Sequence, residues 1–360
     1  MPERAPLLRT LVALAVTLVA GAALLFGAPA RSGPVPPLSV GAAWPTVQRG
    51  SIPSHLPDGG TYTPGLFFDA RTSAGTVRSA DNRFLRLIVL ESDGKAAPTV
   101  RELRRVPSAD RGPFSAPARS GDTLVWVETV KSRPQLWTAD LTADGSARML
   151  TDDVGALRLY DSQYDLTVTD GTVRWAAAAG DGTEFRSVPV GGGRVTVQRE
   201  AGDWGLSAWP WAVDGQTAAT GASTLRNLAT GVDVAVPTGR RAVTACSPAW
   251  CEIVSLNSEG DTRIELSHPD GSARRVVAEG TVGTVISDVA VLDRFQVIGR
   301  TGPQSELSGN QELLVHDLTD RSTVLVSPDA ADISYRGGVL WWSTGDRNSY
   351  VRNSLDLRTV

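Results

Sequence analysis

The sequence predicts an all-β protein, a β-propeller of four-stranded antiparallel blades, seven in number, with the ring closed by an N-terminal strand. Three observations carry this expectation. Extended segments that end in a tight turn recur at spacings of 38 to 51 residues. A second hairpin precedes nearly every one of them, so a repeat holds four strands, and four-stranded repeats of ~40–50 residues are the mark of propellers. The 36 Gly and 22 Pro residues among 360 supply turns and disfavour helical bundles.

The recurring segments are Phe84–Gly94, Gln135–Gly145, Phe185–Gly193, Leu225–Gly231, Ile264–Gly271, Leu313–Asp320 and Tyr350–Leu357. Asp-Gly and Gly-Gly pairs favour the positive φ that two-residue hairpins require. Each segment is expected to be the third strand of its repeat. Fourth strands follow at Ala147–Thr151, Val195–Gln198, Val232–Pro237 and Arg274–Ala278. Second strands precede at Thr123–Glu128, Thr172–Ala177, Gln216–Gly221, Cys251–Leu256, Phe295–Gly299 and Val339–Thr344. The last repeat runs out at Val360 before its fourth strand, and Ala43–Arg49 is expected to supply it. Such closure removes two edges of unpaired backbone groups. Residues 44–360 then form one domain, because single blades cannot bury their apolar faces alone.

Composition narrows the function classes. With 35 basic and 39 acidic residues the net charge is -4, without the basic surplus of a nucleic-acid binder. Three histidines and two cysteines leave little for zinc or iron–sulfur sites, so no metal and no cofactor is expected. Lys95 and Lys131 are the only lysines, an arginine bias that points to a GC-rich, actinobacterial genome.

The N-terminus reads as an export signal. Arg4 and Arg9 precede the apolar run Leu11–Phe26, and Ala28 and Ala30 follow in an A-x-A-like arrangement. Residues 1–30 are therefore a signal peptide or an uncleaved signal anchor. Both readings place the rest outside the cytoplasm, secreted or held by an N-terminal helix. Residues 31–43 are expected to be a flexible Pro/Gly-rich spacer.

The repeats with x-L-W-x-x-D-L-x-x-D-G turns, best seen in Gln135–Gly145 and next in Glu312–Asp320, resemble the WD40-like, TolB-type bacterial β-propellers, in particular secreted actinobacterial TolB-like proteins. The resemblance covers residues 44–360. It implies a propeller in the cell envelope that contacts partner proteins. Leu225–Gly231 departs from it, lacking both the aromatic residue and the Asp of the motif.

Cys246 and Cys251 flank Ser-Pro-Ala-Trp, a turn between two strands. Flanking cysteines of a hairpin can meet the Cα spacing of a disulfide, and an extracytoplasmic address favours oxidation. Trp126, Trp175 and Trp341 recur at one place in the second strand, which indicates packing between blades. Trp137 is expected in the core of a third strand. Trp204, Trp209 and Trp211 form the unusual group. Residues two apart share a strand face, so Trp209 and Trp211 are candidates for an aromatic binding patch; packing between blades is the alternative.

His55, His268 and His316 fall in separate repeats, with no nucleophile elbow or H-E-x-x-H helix beside them. The channel-lining positions offer Asp69 and Arg71, Ser115 and Arg119, Asp161 and Tyr164, and Ser207, with no catalytic constellation among them. The reading is therefore a monomeric, non-catalytic extracytoplasmic module that recognises a protein, peptide or cell-wall glycan. The alternative is a secreted carbohydrate-active enzyme, which requires two carboxylates ~5–9.5 Å apart.

Overall fold

The computed structural model describes residues 36–92, 97–108, 114–142, 147–239, 241–303, 305–345 and 350–360. The export signal and the turn pairs Asp93-Gly94 and Asp144-Gly145 lie outside the described residues. Among the described residues no helix is long and apolar enough to cross a membrane.

The chain begins its packed part earlier than expected. Strand β1 (Leu38–Ser39) runs parallel to a late strand, with Leu38 opposite Val324. A single helical turn (Val40–Ala43) follows, capped by the Ser39 hydroxyl, and it buries Val40 beside Trp44 and Val47. Residues 38–43 are thus packed rather than spacer, because Val40 and Trp44 bring apolar area that the sheet can cover. The closing strand is also displaced. It is β2 (Arg49–Pro53), not Ala43–Arg49, and it pairs antiparallel with Val351–Leu355.

The remaining strands fall into consecutive antiparallel groups. The first is β3–β6 (Thr61–Phe67, Thr72–Arg78, Phe84–Glu91, Thr99–Pro107). The second is β7–β10 (Ser115–Ser120, Thr123–Val130, Arg133–Asp140, Arg148–Thr151). The third holds β11 (Ala156–Leu157) and β12–β15 (Leu166–Thr169, Thr172–Ala179, Gly182–Pro189, Thr196–Ala201). The fourth is β16–β19 (Trp204–Leu206, Trp211–Asp214, Thr224–Asn227, Val232–Ala235). The fifth is β20–β23 (Ala242–Cys246, Cys251–Leu256, Thr262–Ser267, Arg275–Gly280). One long sheet completes the set with β24–β29 (Val282–Thr284, Phe295–Arg300, Gln311–Asp317, Ser322–Arg336, Val339–Thr344, Val351–Asp356) and β2. Its strand β27 pairs with β26 through its first half and with β28 through Ala331–Arg336, so it serves a sixth and a seventh four-stranded group.

Each group packs on the next. Leu66 and Leu87 meet Leu124 and Trp126; Val125 and Leu136 meet Trp175 and Val188; Phe67 and Ile88 of the first group meet Trp341 of the last. The last contact closes the ring. Arg352 on β29 donates to the Tyr62 carbonyl at 2.6 Å, and Ser354 Oγ donates to the Ala70 carbonyl at 2.5 Å. This is a β-propeller.

All seven expected third strands are third strands of their groups. The Asp of the repeat motif has a physical role. Asp140, Asp317 and Asp356 end their third strands, and each carboxylate accepts the backbone N–H two residues on, fixing the turn. Asn227 does the same for Ala229, so the divergent repeat keeps the turn without the Asp. One expected second strand fails. Residues 216–220 are turns and bends, Gly221 makes an isolated bridge to Thr244, and the second strand of the fourth group is Trp211–Asp214. The hairpin turns at Ala208–Trp211, where Pro210 has no N–H to give a ladder.

Candidate functional site

The axis of the ring is occupied by the loop of residues 158–165, between β11 and β12. Its anchor on the third group is Arg158, which binds Thr183 Oγ1 at 3.0 Å and pairs with Asp203. From there it reaches the loop between β24 and β25 and the turn after β27, on the far side of the ring. Ser162 Oγ donates to Asp288 Oδ1 at 2.8 Å, and the Gln163 N–H donates to Asp288 Oδ2 at 3.2 Å. Gln163 Oε1 accepts the Gly337 N–H at 3.4 Å. Within the loop, Asp165 Oδ2 accepts the Tyr160 N–H at 2.9 Å. Asp161 holds the left-handed φ of 61° that makes the reversal, a conformation Asp tolerates better than most residues.

Arg336 ends the first strand of the last group and lies beside this loop. It donates a long hydrogen bond to the Pro117 carbonyl, at 3.5 Å. A bulge frees that carbonyl: Ala116 and Pro117 together oppose Trp126, and Ala116 has φ 44°. No carboxylate lies within ion-pair distance of Arg336 among the described residues, though Asp165, Asp288 and Asp161 act on its charge from further off. Burial lowers the Arg336 pKa.

The same burial raises the acids. Asp165 is pushed up to about 6, with the Tyr160 N–H pulling the other way. Asp288 is raised too, against the hydrogen bonds from Ser162 and Gln163. The Tyr164 phenol is raised by burial and then by Asp288 and Asp293, and the Tyr335 phenol by burial, then by Tyr164 and Asp288.

Cavities surround the plug. One of about 350 Å³ is lined by Leu66, Phe68, Pro117, Arg119, Arg336 and Arg358 among others. A second, of about 390 Å³, shares Gln163, Tyr164 and Gly337 with it and adds Pro248, Val289 and Leu292. A third, of about 340 Å³, holds Ser115, Asp161, Asp288 and Tyr335.

The residues expected to line the channel are only partly there. Asp161 and Tyr164 belong to the plug rather than to a first strand, which begins at Leu166. Ser207 is buried in a cavity wall. Asp69 instead caps the β3–β4 turn through the Arg71 and Thr72 N–H groups, and with Arg71 it lines a separate cleft. Arg336, Asp165, Asp288 and Tyr335 were not singled out. The Gly337-Gly338 turn marks Arg336 as the end of a first strand, but nothing local marks Asp288.

The tryptophan group divides. Trp204 and Trp209 join the cluster between the third and fourth groups, whereas Trp211 joins the cluster between the fourth and fifth. Trp209 lies in the turn before β17, so the two-residue face expected of a strand does not form. Arg226 stacks on Trp204 and Arg174 on Trp209, at 4.7 and 4.2 Å. Trp126 and Trp175 are fully buried as expected; Trp137 is half-buried, with the Arg104 guanidinium 3.4 Å above its ring while Arg104 pairs with the buried Glu128. His316 bonds Thr323, and His268 stacks on Trp250 at 4.2 Å. Cys246 and Cys251 face each other across β20 and β21 and form a disulfide, with Cα atoms 4.0 Å apart.

No protein-family model matches the sequence, and no curated protein matches it. Among solved structures, the uncharacterised protein lmo1340 from Listeria monocytogenes is similar with a TM-score of 0.50 at 9% identity, over 82% of this chain and 91% of that one. TolB from Acinetobacter baumannii is similar with a TM-score of 0.42 at 10% identity, over 71% of this chain, which spans 63% of that TolB. The β-propeller domain of the Trilobed protease from Pyrococcus furiosus gives 0.33 at 11% identity, over 81% of each chain. The fold assignment rests on the chain's own strand groups and the contact that closes them into a ring.

Proposed function

We propose that this protein is a non-catalytic propeller that recognises a protein, peptide or glycan of the cell envelope outside the cytoplasm. The observation that carries the reading is the commitment of the central acids. Both oxygens of Asp288 and one of Asp165 accept donors of the plug loop, so these groups build a rigid platform. A hydrolase needs carboxylates free to exchange protons with a substrate. Extracytoplasmic placement is supported by the basic-then-apolar N-terminus and the disulfide. An N-terminal export segment, removed or kept as an anchor, completes the proposal.

The test is a pull-down with the full chain against envelope fractions, read by mass spectrometry for protein and glycan. Saturable capture of one component supports recognition. Turnover of glycan without capture would replace this reading with a carbohydrate-active enzyme.

A further inference from the structure

We infer that the two adjoining cavities beside the plug bind the free C-terminus of a peptide, with its carboxylate on Arg336. The inference deepens the recognition reading and rests on it. Three guanidinium groups, of Arg119, Arg336 and Arg358, line the first cavity, and no carboxylate lines it among the described residues. They are not equivalent. Arg358 is held by both oxygens of Asp356 and also donates to the Phe68 carbonyl. Arg119 donates to the Gly121 carbonyl, lies 4.0 Å from the exposed Asp122, and stacks on Phe68 at 4.4 Å. Among the described residues Arg336 makes one long bond, to the Pro117 carbonyl. A guanidinium in that state offers a carboxylate two parallel donors.

The surroundings select an apolar acid. Phe68, Pro117 and Leu166 wall the first cavity and fit an apolar terminal side chain. The second cavity continues past Gln163 and Tyr164 and is walled by Pro248, Ala249, Val289 and Leu292, with Asp293 as its one acid among the described residues. It receives the residues before the terminus. That wall is held in an unusual shape: Ala290, Leu292 and Asp293 all have positive φ, between 45° and 57°. Non-glycine residues in that region cost of order 1 kcal/mol or more each and cluster at ligand sites. The other charges facing Arg336 among the described residues are Asp161, Asp165 and Asp288; Asp161 and Asp288 line the third cavity with it, and none of the three lines these two.

The experiment is isothermal titration calorimetry of the full chain with N-acetylated pentapeptides, Ac-Gly-Ser-Gly-Ala-Leu and Ac-Gly-Ser-Gly-Ala-Phe. Each is offered as free acid and as C-terminal amide. The acids should bind at least about ten-fold more tightly than the amides, as expected when a charge-assisted pair is lost. R336Q should weaken the acids by at least about ten-fold and leave the amides unchanged. R199Q, at an exposed arginine distant from these cavities, should change neither. The acid–amide contrast uses the unaltered protein, so it holds even if R336Q folds poorly. Equal binding of acid and amide, or none of either at 1 mM (a ceiling of about -4 kcal/mol), overturns the inference. Binding of N-acetyl-leucine as tightly as the peptide acids assigns the cavity to small carboxylates and overturns the peptide occupant. A failed contrast with a captured envelope partner removes this site only; failure of both removes the recognition reading as well.

Discussion

Ser162 and Asp288, 126 residues apart in sequence, are joined by a 2.8 Å hydrogen bond across the axis of the ring. The bond ties a loop of the third strand group to the start of the sixth and holds the plug in place. Its energetic weight lies in what happens without it. Replacing Asp288 by Ala leaves a hydroxyl and a backbone N–H in a buried setting without an acceptor, which costs about 1–3 kcal/mol. D288A should lower the unfolding midpoint and speed amide exchange in residues 159–165 ahead of the sheets. Unchanged exchange in that loop would show that the plug is held by something else.

A second buried acid makes a pH prediction. Glu252 is almost wholly buried, and burial pushes its carboxyl up to about 8, opposed only by the hydrogen bond from Gln296. Between the unfolded value near 4.5 and the folded value, the folded state keeps a proton that the unfolded state has lost. Stability from this group therefore falls as pH rises through that window and levels off above it, by up to about 1.4 kcal/mol per pH unit. E252Q mimics the protonated carboxyl and should flatten the slope between pH 6 and pH 8. Urea unfolding at several pH values decides it, since parallel profiles for the two proteins would contradict the assignment.

The fold was largely legible in the sequence, and the site largely was not. The third strands Arg133–Asp140, Gln311–Asp317 and Val351–Asp356 end in an Asp whose carboxylate fixes the following turn, so these repeats carry a local mark. The plug has no such mark. Ser162 and Asp288 sit in loops, and their meeting depends on the curvature of the whole ring. The mistaken second strand at 216–221 has a similar origin: Asp214-Gly215 has the composition of a hairpin turn, but Trp204 pairs with Asp214, which places the hairpin at Ala208–Trp211. The strand face expected of Trp209 and Trp211 is absent for the same reason, since the turn separates them.

The disulfide closes a small loop, so its contribution should be modest. Cys246 and Cys251 are already directly opposed in the β20–β21 ladder. The loop-entropy estimate for about six residues is about 2 kcal/mol. C246A/C251A should fold, lose about that much stability and leave the far-ultraviolet spectrum unchanged. Failure of the double variant to fold would assign the bridge a larger part than local stiffening. Intact mass with and without reductant checks that the bridge forms.

Ring closure offers the sharpest substitution. Gly50 is the second residue of the closing strand β2, opposite Ser354. A Cβ added there would stand 1.9 Å from the Ala70 carbonyl oxygen, which is backbone and cannot swing aside. That same oxygen accepts the Ser354 hydroxyl, so any retreat of Ala70 loosens a second tie between the first and last groups. Ile52, two residues on, is buried among Tyr62, Phe67 and Trp341, and would be drawn out if β2 shifted. G50A should therefore destabilise the protein by about 1–3 kcal/mol, the range for overpacking a filled core. It should also open the ring where β2 meets β29. Limited proteolysis should cut first within residues 44–60, while the other strand groups stay protected. A G50A protein with the unfolding midpoint and cleavage pattern of the parent would show that β2 is not what holds the ring closed.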